Sequence, residues 1–267
     1  MHHRDHGVSN DEAIVMSLLC RMEGIAQLLK QCWRSLPEFM PERSHKAILG
    51  SNGQTMTDEF SHFDLSAISQ GDSYKLLASV ILPRPIAWVV SRDAGGVINA
   101  APFSFFNIVS SDPPIVAISF SKAPDRDEKD TLSNILARGE FVVNMVPEEL
   151  AEAMNTTATN APKGLDETEL AGLEMLPSAV VDVPRIAGSP ASLECKLVET
   201  MNFGGSSTIC LGRIVYMHVR TSAFENVANL HIDPDKMRLI GRMHGGGGYT
   251  TTRDVFHIER KSWPLKD

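Results

Sequence analysis

Five short segments carry side chains that could hold a small anionic ligand. Ser119-Phe120-Ser121 ends an apolar run, and Lys129-Asp130-Thr131 opens a stretch with helical spacing. A helix start presents unpaired N–H groups and partial positive charge, which suits a phosphate. Lys129 adds a full charge, and Ser119, Ser121 and Thr131 add hydroxyls. Asn134 lies one turn further on. The plain alternative is an ordinary helix start with a solvated lysine. Asn99-Ala100-Ala101-Pro102-Phe103-Ser104-Phe105-Phe106-Asn107 offers something different. Small side chains let a ligand approach the backbone, whose N–H and C=O groups can then bond the edge of a planar heterocycle. On composition alone an ordinary packed loop is the simpler reading. Arg84 stands between Pro83 and Pro85, which restrict the backbone on both sides. Its guanidinium is thereby aimed, either at a phosphate or carboxylate or into a surface salt bridge.

The last segment is Gly241-Arg242-Met243-His244-Gly245-Gly246-Gly247-Gly248-Tyr249. It is either a bland surface loop or a mobile lid that brings His244, Arg242 or Tyr249 to a ligand. It matches neither GxGxxG nor GxxxxGK[ST]. His218, His231, His244 and His257 are 13 residues apart with no HExxH and no carboxylate at ligand spacing, so no metal site is expected. The absence of GxSxG leaves a hydrolase elbow unsupported. Cys20, Cys32, Cys195 and Cys210 form no CxxC pair and read as scattered reduced thiols.

The elements that must position these groups are mostly strands. Residues 85–91, 114–121, 141–146, 192–201, 208–219 and 255–262 are rich in Val, Ile and aromatics, and several alternate. Six strands with few helices suggest a closed barrel, since closure removes exposed edges. Residues 74–80, 130–138 and 148–157 read as short helices. The second has Asp130 or Thr131 as its cap, an apolar face of Leu132, Ile135 and Leu136, and Gly139 at its end. Residues 161–189 contain Pro162, Pro177 and Pro184 and read as an irregular surface excursion.

Residues 1–56 differ in character from the remainder, 57–267. Ile14, Leu18, Met22, Ile25, Leu29 and Trp33 recur at helical spacing before Pro37 and Pro41, and Ser51-Asn52-Gly53-Gln54-Thr55 reads as a linker. This is either a helical arm or an extension upstream of a natural start at Met56. The stretch is too polar to span a membrane and poorly shaped as a signal peptide, so the cytoplasm is the expected location. The net charge of −8 argues against nucleic acid as the main partner but not against a local anion pocket.

Taken together, residues 83–91 (PRPIAWVVS), 99–107 (NAAPFSFFN), 113–121 (PPIVAISFS), 129–135 (KDTLSNI) and 140–146 (EFVVNMV) resemble the flavin reductase-like family. The order and spacing of five blocks make the resemblance specific. It covers roughly residues 64–262. It implies a mainly β fold, the six-stranded FMN-binding split β-barrel, with a few peripheral helices. It implies an FMN phosphate at Ser121, Lys129, Asp130 and Thr131 with Asn134 near, and the isoalloxazine edge against Ala100, Ala101, Pro102, Phe103 and Ser104. It further implies a homodimer with FMN near the subunit interface. Arg84 and Ser119 join the expected cofactor set, and His244 is the candidate for nicotinamide binding, although four glycines follow it.

The expected function is an NAD(P)H:flavin oxidoreductase that passes hydride from NAD(P)H to flavin, with a monooxygenase or another electron acceptor as the candidate partner. One alternative is an FMN-binding electron-transfer module with no pyridine nucleotide site. Another is a pyridoxamine-phosphate-oxidase-like enzyme on a related barrel.

Overall fold

The valine- and isoleucine-rich runs become strands of one antiparallel sheet. In the computed structural model, residues 60–122, 125 and 128–263 are described. The chain divides into two units, 1–61 and 62–267, and the fold below is that of the second. The expected N-terminal helical face at residues 14–33 lies outside the described residues.

Among the described residues the order begins with α1 (Gln70–Val80), β1 (Ala87–Arg92), β2 (Ile98–Phe103), β3 (Phe106–Ser111) and β4 (Pro114–Ser121). Next come α2 (Asp130–Arg138), β5 (Glu140–Met145) and a 3-10 turn at Glu148–Leu150. Then follow α3 (Ala151–Thr156), α4 (Glu167–Leu170), β6 (Met175–Leu176) and β7 (Arg185–Ile186). Two long strands, β8 (Ala191–Asn202) and β9 (Ser207–Val219), precede small ribbons: β10 (Phe224–Asn226) with β11 (His231–Ile232), and, after α5 (Pro234–Met237), β12 (Ile240–Arg242) with β13 (Tyr249–Thr251).

Seven strands pair in the order β2-β1-β5-β8-β9-β4-β3. Laid flat, six gaps of about 4.8 Å would part the two edge strands by about 29 Å. Yet only Ser104 and Phe105 join β2 to β3, and three Cα steps reach about 11 Å at most. The sheet therefore has to curl until its edges meet. Inside the curl, Val89, Phe103, Ile118, Phe120, Phe141 and Cys195 pack with Leu132 and Ile135 of α2. Each such aliphatic or aromatic side chain contributes about 1.5–3 kcal/mol by leaving water. Alternate residues of the same strands, Trp88 and Val90 of β1 and Val142 of β5, form a second cluster outside with Met154, Val181, Val183 and Ile186. That is why β1 is buried along nearly its whole length rather than alternating.

Two strand assignments change. Residues 255–262 form no strand. Phe256 and Ile258 are 80% and 81% exposed, because apolar content without an open ladder beside it does not pair. The places at the sheet edges go instead to β2, which arises from the 99–107 segment that composition alone favours as a loop, and to β3, which begins at its end. Residues 161–189 are also more than an excursion, since they carry α4 and the β6–β7 ribbon and cover the outer cluster. Helix α1 begins earlier than the apolar pattern, at a cap where the Asp72 N–H donates to Ser69 Oγ at 3.1 Å. In α2, Leu136 is exposed, and Thr131 and Asn134 are buried beside Leu132 and Ile135.

The cover is pinned by Glu194, which is fully buried. Its carboxylate accepts from the N–H groups of Ala179 (2.6 Å), Val180 (2.7 Å) and Val181 (3.0 Å), and His218 Nε2 lies 2.7 Å away. Burial is the largest single influence and raises its pKa, but these hydrogen bonds together outweigh it and hold the net value below the ordinary 4.5. A depressed carboxylate stabilises the fold above its unfolded value and loses that contribution as pH falls through the folded one. Glu194→Gln is therefore expected to lower stability at pH 7 by about 2–4 kcal/mol. Urea unfolding should show the gap to wild type narrowing below pH 4.5; a gap independent of pH would contradict this role.

Cys195 and Cys210 are free and buried. Burial pushes the Cys210 thiol up to about 12 and raises Cys195 as well, so neither is a nucleophile near neutrality.

Candidate functional site

Strand β2 lies at one edge of the sheet, so only one side of its backbone is paired. Its register with β1 sets Ala100 opposite Val90 and Pro102 opposite Trp88. Pro102 has no N–H to give, so this and every second pair lacks ladder bonds, and the backbone groups of Ala100 turn outward. Ala101, Pro102 and Ser104 are partly exposed, whereas Ala100 is fully buried and Phe103 is 7% exposed. Of the segment expected to meet a ring, residues 101, 102 and 104 present themselves. Ala100 does not, because its N–H donates to Glu167 Oε2 at 3.3 Å.

Helix α2 starts beside this edge. Its capping residue is Lys129, which has extended backbone and makes no side-chain cap hydrogen bond, so the cap itself brings no acceptor to the first turn. The Lys129 ammonium stands 5.6 Å from the centroid of the Phe103 ring, and Phe103 meets Phe120 edge-on at 4.5 Å. The Ser119 N–H donates to the Phe105 carbonyl at 2.9 Å, and Ser121 is exposed at the end of β4. Ser119, Ser121, Lys129 and the α2 N-terminus are thereby drawn towards the end of β2 that carries Phe103 and Ser104.

Thr131 and Asn134 turn the other way. Thr131 is 1% exposed and its hydroxyl donates to Asn99 Oδ1 at 2.6 Å; Asn134 Nδ2 donates to Ser91 Oγ at 3.1 Å. Ser91 Oγ in turn donates to Asn99 Oδ1 at 3.3 Å, and Asn99 Nδ2 to Glu167 Oε1 at 2.9 Å. The two α2 side chains therefore sit in a buried polar network beneath the surface, with their amide and hydroxyl groups already engaged. Burial, foremost, and the negative charge of Asp130 raise the Glu167 pKa, while the bonds from Asn99 and Ala100 pull it down; the net direction is upward. Glu167 escaped the sequence reading because it lies 68 residues from Asn99 in a proline-punctuated stretch with no motif around it.

Arg84 is 4% exposed. It donates to the Ala78 carbonyl (2.7 Å), the Ile81 carbonyl (3.2 Å), the Met243 carbonyl (2.7 Å) and Ser104 Oγ (3.4 Å). The prolines do aim it, but at the C-terminal end of α1 and the β12–β13 turn. An anion would have to displace those acceptors. The run of glycines is the tip of that hairpin rather than a free lid: Arg242 pairs with Tyr249, and the Met243 N–H donates to the Gly248 carbonyl at 2.9 Å. His244 is exposed at the tip and accepts from the Gly246 N–H at Nδ1 (3.2 Å). A Cβ on Gly248 would stand 3.0 Å from His244 Nε2, and one on Gly245 would stand 3.2 Å from the Tyr74 ring, so a side chain at either place would push that ring back by a few tenths of an ångström. Tyr74 stacks on Phe105 at 6.0 Å. Arg84 thus joins Ser104 to the Met243 carbonyl, and its guanidinium lies 5.8 Å from the Phe105 ring centroid, which puts the hairpin beside Phe105 and Tyr74. Tyr74 and Phe105 carried no signal in the sequence beyond being aromatic.

Among the described residues no group of three or more His, Cys, Asp or Glu converges as a metal cluster, and no helix is long and apolar enough to cross a membrane.

Residues 79–239 match the flavin reductase-like domain. The chain belongs to the flavin reductase-like family. An uncharacterised protein of Deinococcus radiodurans is 41% identical over 206 residues, which is 76% of this chain and 90% of that one. The structure of nitrilotriacetate monooxygenase component B from Bacillus cereus superposes with a TM-score of 0.71 at 32% identity, covering 76% of this chain and all of that one. The 2-nitrobenzoate 2-nitroreductase of Pseudomonas fluorescens gives 0.70 at 33%, covering 77% and 99%. The curled sheet is the split barrel of flavin reductases. Family membership carries a flavin-related, oxidoreductase-type function.

Proposed function

We propose that this flavin reductase-like protein binds FMN and accepts hydride from NAD(P)H. The phosphate is held by Ser119, Ser121, Lys129 and the start of α2. The ring edge is held by the backbone of residues 101–104 and by Ser104, while Thr131 and Asn134 support from below. The observation that carries this reading is the start of α2 beside the small-residue edge strand, with the Lys129 ammonium 5.6 Å from the Phe103 ring at the end of that strand. That donor set fits a dianionic phosphate beside a planar ring. FMN, when bound, supplies the hydride acceptor, and the protein orients the nicotinamide against it. His244, Tyr74 and Phe105 form the rim where a nicotinamide would lie.

A homodimer fits the same surface. Tyr74, Leu77 and Val80 of α1 and Ile108 and Val109 of β3 are exposed apolar side chains, and exposed apolar surface is what an interface would cover. A second copy covers them and borders the flavin site. Because one relative in structure is a monooxygenase component, a monooxygenase is the proposed consumer of the reduced flavin.

One observation favours a second reading, an electron-transfer module without a nicotinamide site. The His244 ring is folded onto its own loop and already accepts from Gly246. Anaerobic mixing separates the two. The FMN-loaded protein is expected to bleach on addition of NADH or NADPH. Bleaching by dithionite alone, with both nucleotides inert, would replace the reductase reading with the carrier.

A further inference from the structure

We infer that Glu167 is a positioning residue that fixes the distance between the two halves of the flavin site; this rests on the FMN reading above. The inference starts from the edge of the sheet. The outward N–H of Ala100 is fully buried and has no neighbouring strand to receive it, while Pro102 two residues on has none to offer. Glu167 supplies the missing acceptor to Ala100, and its other oxygen accepts from Asn99 Nδ2. Asn99 passes the connection on, since its Oδ1 receives the Thr131 hydroxyl from the first turn of α2. One carboxylate thereby links the edge strand that faces the ring to the helix that faces the phosphate.

The residue type is informative. Burying a carboxylate at 6% exposure near Asp130 costs stability, so a fold with no other demand would be served better by a neutral side chain. Glutamine cannot replace it in function. Its amide has one acceptor oxygen and would turn an NH2 towards either Asn99 Nδ2 or the Ala100 N–H, both of which are donors. Only the carboxylate accepts from both at once. Neither Glu167 nor Asn99 needs to touch the ligand for this; they act through the backbone of β2 and through Thr131.

FMN and riboflavin distinguish positioning from plain stability, because only FMN spans both halves. Wild type, Glu167→Gln and Thr131→Val are titrated with each, with thermal midpoints and visible circular dichroism of the bound flavin recorded. Glu167→Gln is expected to lose about tenfold or more of its preference for FMN over riboflavin and to change the dichroic spectrum in the folded protein. Thr131→Val, which leaves Glu167 paired and cuts only the link to α2, is expected to lose that preference too, and it carries the test if Glu167→Gln does not fold. An FMN preference and a flavin spectrum unchanged in the folded variants would overturn the inference while leaving the flavin site standing. Failure of the wild type to bind either flavin would overturn the FMN reading itself, and this inference with it.

Discussion

Lys129→Ala is expected to weaken FMN binding by about 10- to 100-fold, with little change in stability. A charge-assisted contact to phosphate is worth about 1.5–3 kcal/mol, and each 1.4 kcal/mol is about a factor of ten in affinity. What the fold itself loses is small, because the interactions of a partly exposed lysine are screened by water. The ammonium over Phe103 contributes about 0.5–1 kcal/mol at a partly exposed position. Thr131→Ala should lower stability as well as FMN affinity. It removes a buried hydroxyl from Asn99, so it lowers stability by about 1–2 kcal/mol and reaches FMN only through the network. Fluorescence titration and thermal unfolding of the two variants separate a ligand contact from a support. An unchanged FMN dissociation constant in Lys129→Ala would remove the phosphate from this helix.

Arg84→Met is expected to lower stability by about 2–4 kcal/mol and to loosen the hairpin tip. The aliphatic stem is kept, but the carbonyls of Ala78, Ile81 and Met243 lose their donor at once. Hydrogen exchange should rise at residues 243–248 and at the end of α1, because the guanidinium is what joins them. If the tip carries the nicotinamide rim, the KM for NAD(P)H rises more than the FMN dissociation constant. Wild-type exchange at the tip in Arg84→Met would mean that the β12–β13 pairing alone holds His244 in place.

The parts of the fold that sequence could reveal are those with a local cause. Residues 85–91 and 141–146 are valine-rich runs and became β1 and β5; α2 has a start, a face and Gly139 in a left-handed conformation at its end. Strand β2 had no such cause. Ala100, Ala101 and Pro102 have little strand preference, and Pro102 reads as a breaker until β2 is known to be an edge strand paired with β1 alone. Residues 255–262 failed in the converse way, with a strand-like composition and no ladder to join.

The candidate site divides along the same line. Ser119, Ser121 and Lys129 stand out because a helix start after a strand is a local pattern, and the phosphate proposal rests on them. Arg84 was recognised as aimed, but its partners are mostly backbone carbonyls 3 to 159 residues away, which no pattern of side-chain types encodes. Thr131 and Asn134 have the right chemistry for a ligand and face the interior, because helix phase relative to the barrel is decided by packing of Leu132 and Ile135.

The most direct measurement is a titration of the wild-type protein with FMN and with riboflavin, followed by flavin absorbance or fluorescence quenching. Two or more charge-assisted contacts to the phosphate should make FMN bind at least about 100-fold more tightly than riboflavin, and raised salt should narrow that difference. Equal affinities for the two, or binding of neither, would contradict a phosphate held at Ser119, Ser121, Lys129 and the start of α2.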